Sequence, residues 1–415
     1  MRKLFRVETD VPPLSSLLIM LSLLLLSIYY TMPIMINLLG SLRHLYLAGS
    51  VFLFMLGLFL DRDAKLFFAF VLMELLILLM WKSIWNAQMG IGNYVMPVSV
   101  FNIYFTAAHY YLLNERAGEE KLLFYAILAV NTITAVTTIL TFRSNPWAVR
   151  NSTRTDIAES TKYRWRSLNI GNWNYLYGVV FLVPCLVFIF CYSRHKLLWA
   201  AWLAVIMVCI LVSELTIALF FALLAIVMIF IGKPENRLQF LILLAGIVFV
   251  VAFAAYLDKF VFFLRGVTEN LGLETIAKKM DTIYILLTEN TATGNASDRM
   301  NLYGTSLSTF FDHPLTGMIF VKESPIGRIG FHSEFCDLLG GIGLVGLGSL
   351  AFFLYNRYAM IKLYIAEEFR WRVGIITAGV FLLAILNPIL YAPQISMNAF
   401  LMPTLLVHML ERQTV

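Results

Sequence analysis

The chain alternates long apolar runs with short polar breaks, and the runs are long enough to cross a roughly 30 Å hydrocarbon core from one end to the other. Their lengths predict about twelve transmembrane helices, near 14–38, 45–60, 66–81, 94–112, 122–142, 173–192, 197–212, 215–231, 239–257, 334–355, 373–391 and 396–410. The fold class expected is all-α: a polytopic transmembrane helical bundle, with 1–415 forming a single membrane domain.

The polar breaks orient the bundle. "MRKLFR" precedes the first run, which is too long for a signal-peptide core and lacks a small-residue cleavage site, so it reads as a retained helix. The breaks "DRDAK", "NERAGEEK", "SRHK", "GKPENR" and "NRYAMIKLYIAEEFRWR" each carry at least two Lys or Arg, whereas the short intervening ones carry one or none. The positive-inside bias then puts both termini in the cytoplasm.

Two breaks on the outer side are too long to be turns, and long loops in a compact chain tend to carry function. The first, 143–171, is basic: six Lys or Arg against two acids. The second, 258–333, is close to charge-balanced and has helical periodicity. Leu273, Ile276, Met280, Ile283 and Leu287 recur at three- and four-residue spacing, as do Met300, Tyr303, Leu307 and Phe310. Two amphipathic helices over the outer mouth of the bundle are expected there.

Composition agrees. The chain is 60% hydrophobic and 13% charged, with a mean hydropathy of +0.80; soluble domains carry about 25% charged residues. The net charge of +6 lies largely in loops between spans, which argues against nucleic acid as a partner. Cys185, Cys191, Cys209 and Cys336 all fall in or beside apolar runs with no C-x-x-C pair, so neither a disulfide framework nor a metal site is expected. No Gly-rich phosphate loop is present, and no cofactor is expected.

The chemistry-bearing residues cluster on the outer side. Arg150, Arg154, Arg164, Arg166, Arg265, Arg299 and Arg328 lie in its loops. Guanidinium groups suit bidentate recognition of phosphate oxygens; any single one is better read as a solvated loop charge, and it is as a group that they point to an anionic ligand. His332 stands at the mouth of the span that opens "HSEFCDLLGGIGLVG". Imidazole accepts a proton near neutrality without special tuning. Glu334 and Asp337 follow at a spacing that lets either orient His332 or bind a hydroxyl; the plain alternative is an interfacial His bonded to a loop carbonyl. Gly340, Gly341, Gly343, Gly346 and Gly348 read as a smooth face for helix packing. Within the spans, Glu74, Asn102, His109, Asn131 and Asn387 are costly in lipid, and internal hydrogen bonds explain each as well as a relay does.

"SDRMNLYGTSLSTFFDHPLTGMIF" followed by "GFHSEFCDLLGGIGLVGLGSLAFFL" resembles the signature of the O-antigen ligase and polymerase superfamily. In that pattern an Arg and an amphipathic helix precede a "hPl.G" turn and a His-led motif entering a late span. Arg299, the turn His313–Gly317 and His332–Gly346 occupy those places, and "NPWAVR" with "GNWNYLYG" is similar to the outer loop of exopolysaccharide polymerases. The resemblance covers about fifty residues. One departure is Glu214, which stands where many members carry an Arg.

The resemblance implies a metal-independent, inverting glycosyltransferase on the outer face of the bacterial inner membrane, its active site facing the periplasm. The donor would be an undecaprenyl-diphosphate-linked glycan drawn from membrane lipid, with a chain-length regulator as a possible protein partner. It implies His332 as general base with Glu334 orienting it or the acceptor. Arg299, Arg150, Arg154, Arg265, Arg328 and Asp337 are the candidates for binding substrate. Ser after the His favours a polymerase of O-antigen or exopolysaccharide repeat units. A ligase transferring the glycan to lipid A core, and a polysaccharide flippase, remain the alternatives.

Overall fold

The computed structural model describes residues 13–61, 64–114, 117–142, 144–145, 148–152, 157–213, 215–231, 257–270, 280–281, 284 and 296–412. All regular structure among them is helical. The principal helices are α1 (Pro13–Thr31), α2 (Arg43–Leu60), α3 (Ala64–Met80), α4 (Ile91–Leu113), α5 (Ala117–Phe142), α6 (Glu159–Ser167), α7 (Trp173–Tyr192), α8 (Lys196–Val212), α9 (Thr216–Ile231), α10 (Leu257–Asn270), α11 (Ala296–Asp312), α12 (Glu334–Tyr364), α13 (Glu367–Leu386) and α14 (Met402–Glu411).

Seven helical stretches among the described residues are long and apolar enough to cross a membrane: Leu14–Thr31, Ile34–Leu60, Ala64–Trp85, Gly118–Phe142, Trp173–Tyr192, Glu334–Tyr364 and Glu367–Leu386. The chain is a membrane-embedded helical protein. Two further apolar helices, Lys196–Val212 and Ala218–Ile229, are shorter. The expected span at 239–257 apart from Leu257, the stripe from Leu273 to Leu287 apart from Met280, and Glu214 lie outside the described residues.

Two expected spans have a different form. The run at 14–38 ends as a helix at Thr31 and restarts as Ile34–Leu39, because Pro33 disfavours helix at the residue before it. The run at 396–410 is not one regular helix. Pro393–Ser396 leads into a π-turn over Met397–Leu401 and then α14. Every residue from Pro393 to Met402 is buried, as are those that follow to Leu410. This broken helix, α4 and α7 form the interior, and α1, α3, α5, α8, α9 and α13 pack around them.

Several polar groups inside the spans are spent on one another. Glu74 accepts from Ser99 Oγ at 2.5 Å and from Asn102 Nδ2 at 2.8 Å. The π-turn swings Asn398 against Asn131, amide to amide at 3.4 Å. Glu120, fully buried at the start of α5, meets His408 Nδ1 at 2.9 Å and Arg412 at 2.5 Å.

The described part of the basic segment 143–171 holds two short helices: α6, seated against Ile34–Leu39, and Ala148–Asn151, seated against α7. Asn37 Nδ2 donates to Tyr163 O and Ser167 Oγ, both at 2.8 Å. Asn169, at φ 53°, is held by Thr134 and Thr137. On α6, Lys162 and Arg166 both pair with Glu159 and hold its carboxyl below the usual range, the Lys162 hydrogen bond acting most strongly.

Candidate functional site

The His332 region is assembled by α11, the turn and loop that follow it, and the first turns of α12. α11 lies along α12. Its buried edge is the hydroxyl pair Ser306 and Thr309 rather than the apolar stripe of Tyr303, Leu307 and Phe310, which is only half-buried. Thr309 Oγ1 donates to Arg328 O at 2.5 Å. Ser306 Oγ accepts the Gly330 N–H at 2.9 Å and donates to Asp337 Oδ1 at 2.7 Å. Gly330 has to be glycine: a Cβ there would drive into Leu302 O.

Asp337 ties off this knot. Its carboxylate also accepts the N–H groups of Phe331 at 3.1 Å and Ser333 at 3.2 Å. Phe331 sits at φ 58°, a left-handed conformation that is strained for a residue with a Cβ. Ser333 caps α12 by accepting the Cys336 N–H at 3.2 Å. Between these two fixed residues His332 is half-buried, with Nδ1 3.0 Å from Gly330 O. A carbonyl can only accept, so Nδ1 carries the hydrogen and Nε2 is the basic nitrogen.

Glu334 does not orient the imidazole, contrary to expectation. Its Oε2 accepts the N–H groups of Ile389 at 2.9 Å and Leu390 at 3.1 Å, clamping the connection after α13 onto the top of α12. Oε1 is buried with no partner. Nor is Asp337 presented to a ligand: it is 1% exposed and its oxygens are taken up by the chain itself. Gly330 O does the orienting.

An aromatic wall adjoins the knot. The π-turn Trp81–Trp85 at the end of α3 brings Trp85 against Phe331 at 5.1 Å, Tyr94 at 5.3 Å and Tyr391 at 5.8 Å between ring centroids. Tyr391 in turn stacks on Trp173 at 6.4 Å, and both are half-buried. Rings with one apolar face and one polar edge suit a boundary between hydrocarbon and water.

The glycine-rich start of α12 serves close packing, as expected, at Gly340 and Gly341, where a Cβ would meet Ser306 O of α11 and Ile84, and has a second use at Gly343. Gly343, at φ 62°, breaks the helix. The turn His313–Met318 docks on the break, with the Leu344 N–H bonded to Pro314 O and the Met318 N–H to Gly341 O, both at 2.9 Å. Added Cβ atoms would lie 2.6 Å from Pro314 O at Gly343 and 2.5 Å from Gly340 O at Gly317. Gly348 has no neighbour that requires it.

Of the candidate arginines, the two with described side chains, Arg328 and Arg265, are each paired with carboxylates. Arg328 lies in the His332 loop, but its guanidinium pairs with Glu323 at 2.9 Å and Asp312 at 3.5 Å. Arg265, on α10, pairs with Glu269 at 3.0 Å and with Asp281 at 2.7 Å. Arg154 lies outside the described residues, as do the side chains of Arg150, on Ala148–Asn151, and Arg299, on the first turn of α11.

Compared with known proteins, the chain matches no family model, no curated protein and no solved structure. Its chemistry therefore has to be argued from its own residues. The arrangement offers one half-buried imidazole of fixed tautomer at the top of a span, an aromatic rim beside it, and a neighbouring helix that carries an arginine. Ser306, Thr309, Trp85 and Tyr391 escaped the sequence reading. Hydroxyls three apart on an amphipathic helix, and a Trp-rich turn after a span, were the available signals.

Proposed function

We propose that the chain is a membrane glycosyltransferase that polymerises oligosaccharide repeat units carried on undecaprenyl diphosphate, working at the outer face of a bacterial inner membrane. The observation that carries this reading is His332: an imidazole at the head of an apolar helix whose Nδ1 is committed to Gly330 O, leaving Nε2 as a base. A donor with its sugar in water and its tail in lipid presents its reacting carbon at that height.

In this reaction Nε2 takes the proton of an acceptor hydroxyl. The hydroxyl oxygen bonds to the anomeric carbon as the bond from that carbon to the diphosphate breaks, and the diphosphate leaves with the electron pair. Arg299, on the first turn of α11, is assigned to meet that charge. It shares α11 with Ser306, which bonds the His332 loop, and lies roughly 10 Å from it along the helix axis at 1.5 Å per residue. A charge-assisted contact of this kind contributes a few kcal/mol, about 1.4 kcal/mol per tenfold in rate.

The test is His332→Ala in cells lacking the native copy. Glycan elongation is expected to stop while protein level and membrane insertion stay normal, and lipid-linked single repeats accumulate. Near-normal chain lengths would remove His332 from the chemistry and the reading with it. Deletion separates the two transferases: single repeats on lipid A core mark a polymerase, and bare core with lipid-linked polymer marks a ligase.

A further inference from the structure

The segment that joins α11 to the His332 loop carries an uncovered apolar patch. Phe311, Leu315 and Phe320 are 75%, 67% and 81% exposed. The other face of the same turn is packed, with Met318 buried in a cluster that includes Ile84, Trp85 and Ile342. Between Asp312 and Lys322 the sequence reads "HPLTGMIFV", so His313 is the only ionisable group there. An exposed apolar patch of this kind marks contact with a protein or with a membrane. Its height decides between them.

Two helices measure that height. A Cβ on Gly341 would run into Ile84, so the docked turn and Ile84 share a level. Ile84 stands near the end of the stretch Ala64–Trp85, about 30 Å from its start at 1.5 Å per residue. From Leu344, just past the break, to Tyr364 at the end of α12 is again about 30 Å. Both lengths match the roughly 30 Å hydrocarbon core. The turn therefore sits at the edge of that core on the His332 side, and not out in water.

Continuity points the same way. The Leu344 N–H donates to Pro314 O at 2.9 Å and the Val345 N–H to Leu315 O at 3.4 Å. Leu344 and Val345 are themselves exposed, and the exposed flank continues along α12 through Phe352 and Tyr355. Leu315 extends that flank by one step. The turn's backbone also suits lipid, where an unsatisfied N–H or C=O is not tolerated. Gly317 N–H donates to His313 O at 2.8 Å, Ile319 N–H to Thr316 O at 3.2 Å and Val321 N–H to Met318 O at 3.1 Å. Flanking charge is gathered on Arg328, which pairs with both Asp312 and Glu323. Exposed Lys322 brings these four groups to zero net charge and is long enough to reach headgroup level.

We infer that the 311–320 turn is inserted in the bilayer leaflet on the His332 side, with Phe311, Leu315 and Phe320 among the acyl chains. Insertion rests on apolar area and selects no anionic headgroup. The turn anchors α11 and the His332 loop to the membrane plane, because the same segment runs on into the Ser306–Asp337 knot.

The experiment uses the full chain in phosphatidylcholine liposomes. Spin labels are placed on single cysteines in a Cys191→Ser background, since Cys185, Cys209 and Cys336 are buried. Accessibility to oxygen, which concentrates in hydrocarbon, is compared with accessibility to a water-soluble nickel chelate. Phe352→Cys supplies the lipid reference and Ser324→Cys, at an exposed site beside Glu323, the water reference. Labels at Leu315→Cys and Phe320→Cys are expected to favour oxygen as Phe352→Cys does, with the balance reversed at Ser324→Cys. Phe311→Cys takes the place of either variant that fails to fold. Nickel favoured at Leu315 or Phe320 would put the patch in water and overturn the inference. Exclusion of both reagents would mean that protein covers the patch, a second copy or another segment, and would overturn it equally. No readout involves His332, so the proposed transferase activity can fail while the anchor stands.

Discussion

The Ser306 hydroxyl donates to the Asp337 carboxylate at 2.7 Å, joining α11 to α12 across 31 residues of sequence. Through Ser306 the bond reaches the Gly330 N–H, and through Asp337 it reaches the N–H groups on either side of His332. Two short polar side chains thus fix the loop that carries His332.

Asp337→Asn puts an amide donor where one of the loop N–H groups needs an acceptor. Leaving a buried donor unsatisfied costs about 1–3 kcal/mol. A lowered unfolding midpoint and lost elongation are expected, with Ser306→Ala following the same direction less severely. Asp337→Asn with native melting and native chain lengths would show that the knot is dispensable.

Glu334→Gln tests whether this carboxylate is chemical or architectural. The amide oxygen can still accept from Ile389 and Leu390, so elongation is expected to stay within about tenfold of native (~1.4 kcal/mol). Glu334→Ala leaves two buried N–H groups bare and should lower the midpoint. Abolished elongation in a stable Glu334→Gln protein would make Glu334 a catalytic residue after all.

Phe331 predicts an inverted ranking. Phe331→Gly loses the ring against Trp85 but relieves the left-handed backbone, whereas Phe331→Ala loses the ring and keeps the strain. The glycine variant is expected to be the more stable by about 1 kcal/mol, as read by comparing melting midpoints. Alanine more stable than glycine would mean that φ 58° is not the resting geometry.

Gly343→Ala and Gly348→Ala lie on one helix and should behave oppositely. The first collides with Pro314 O and strains a positive φ, at a cost of about 1–3 kcal/mol. The second adds a methyl to open space and should be neutral or stabilising by up to ~1 kcal/mol. Equal effects on unfolding would remove the docked turn from the account of the break.

What the sequence could and could not show follows from the range of each interaction. Helical spans were legible because apolar run length is a local property, and so was the presence of His332, Glu334 and Asp337 ahead of one such run. Roles were not legible. Glu334 binds backbone N–H groups 55 and 56 residues away, and a backbone donor leaves no mark on residue type. The buried face of α11 was misjudged for a related reason. Apolar periodicity locates the greasy side of a helix, yet α11 turns its hydroxyls inward because the loop beside it has N–H and C=O groups to satisfy. Run length also failed at 396–410, where a fully interior helix and a lipid-facing one are equally apolar.

The interruption at Gly343 leaves Glu334–Ile342 as a short cap gripped by the 313–318 turn, set off from the stretch after it, which exposes Leu344, Phe352 and Tyr358 along the flank of the bundle. His332's elevation is thereby set by the docked turn and not by the overall length of its helix. Bilayers of different thickness could tilt or slide the lower stretch while the imidazole keeps its station at the rim.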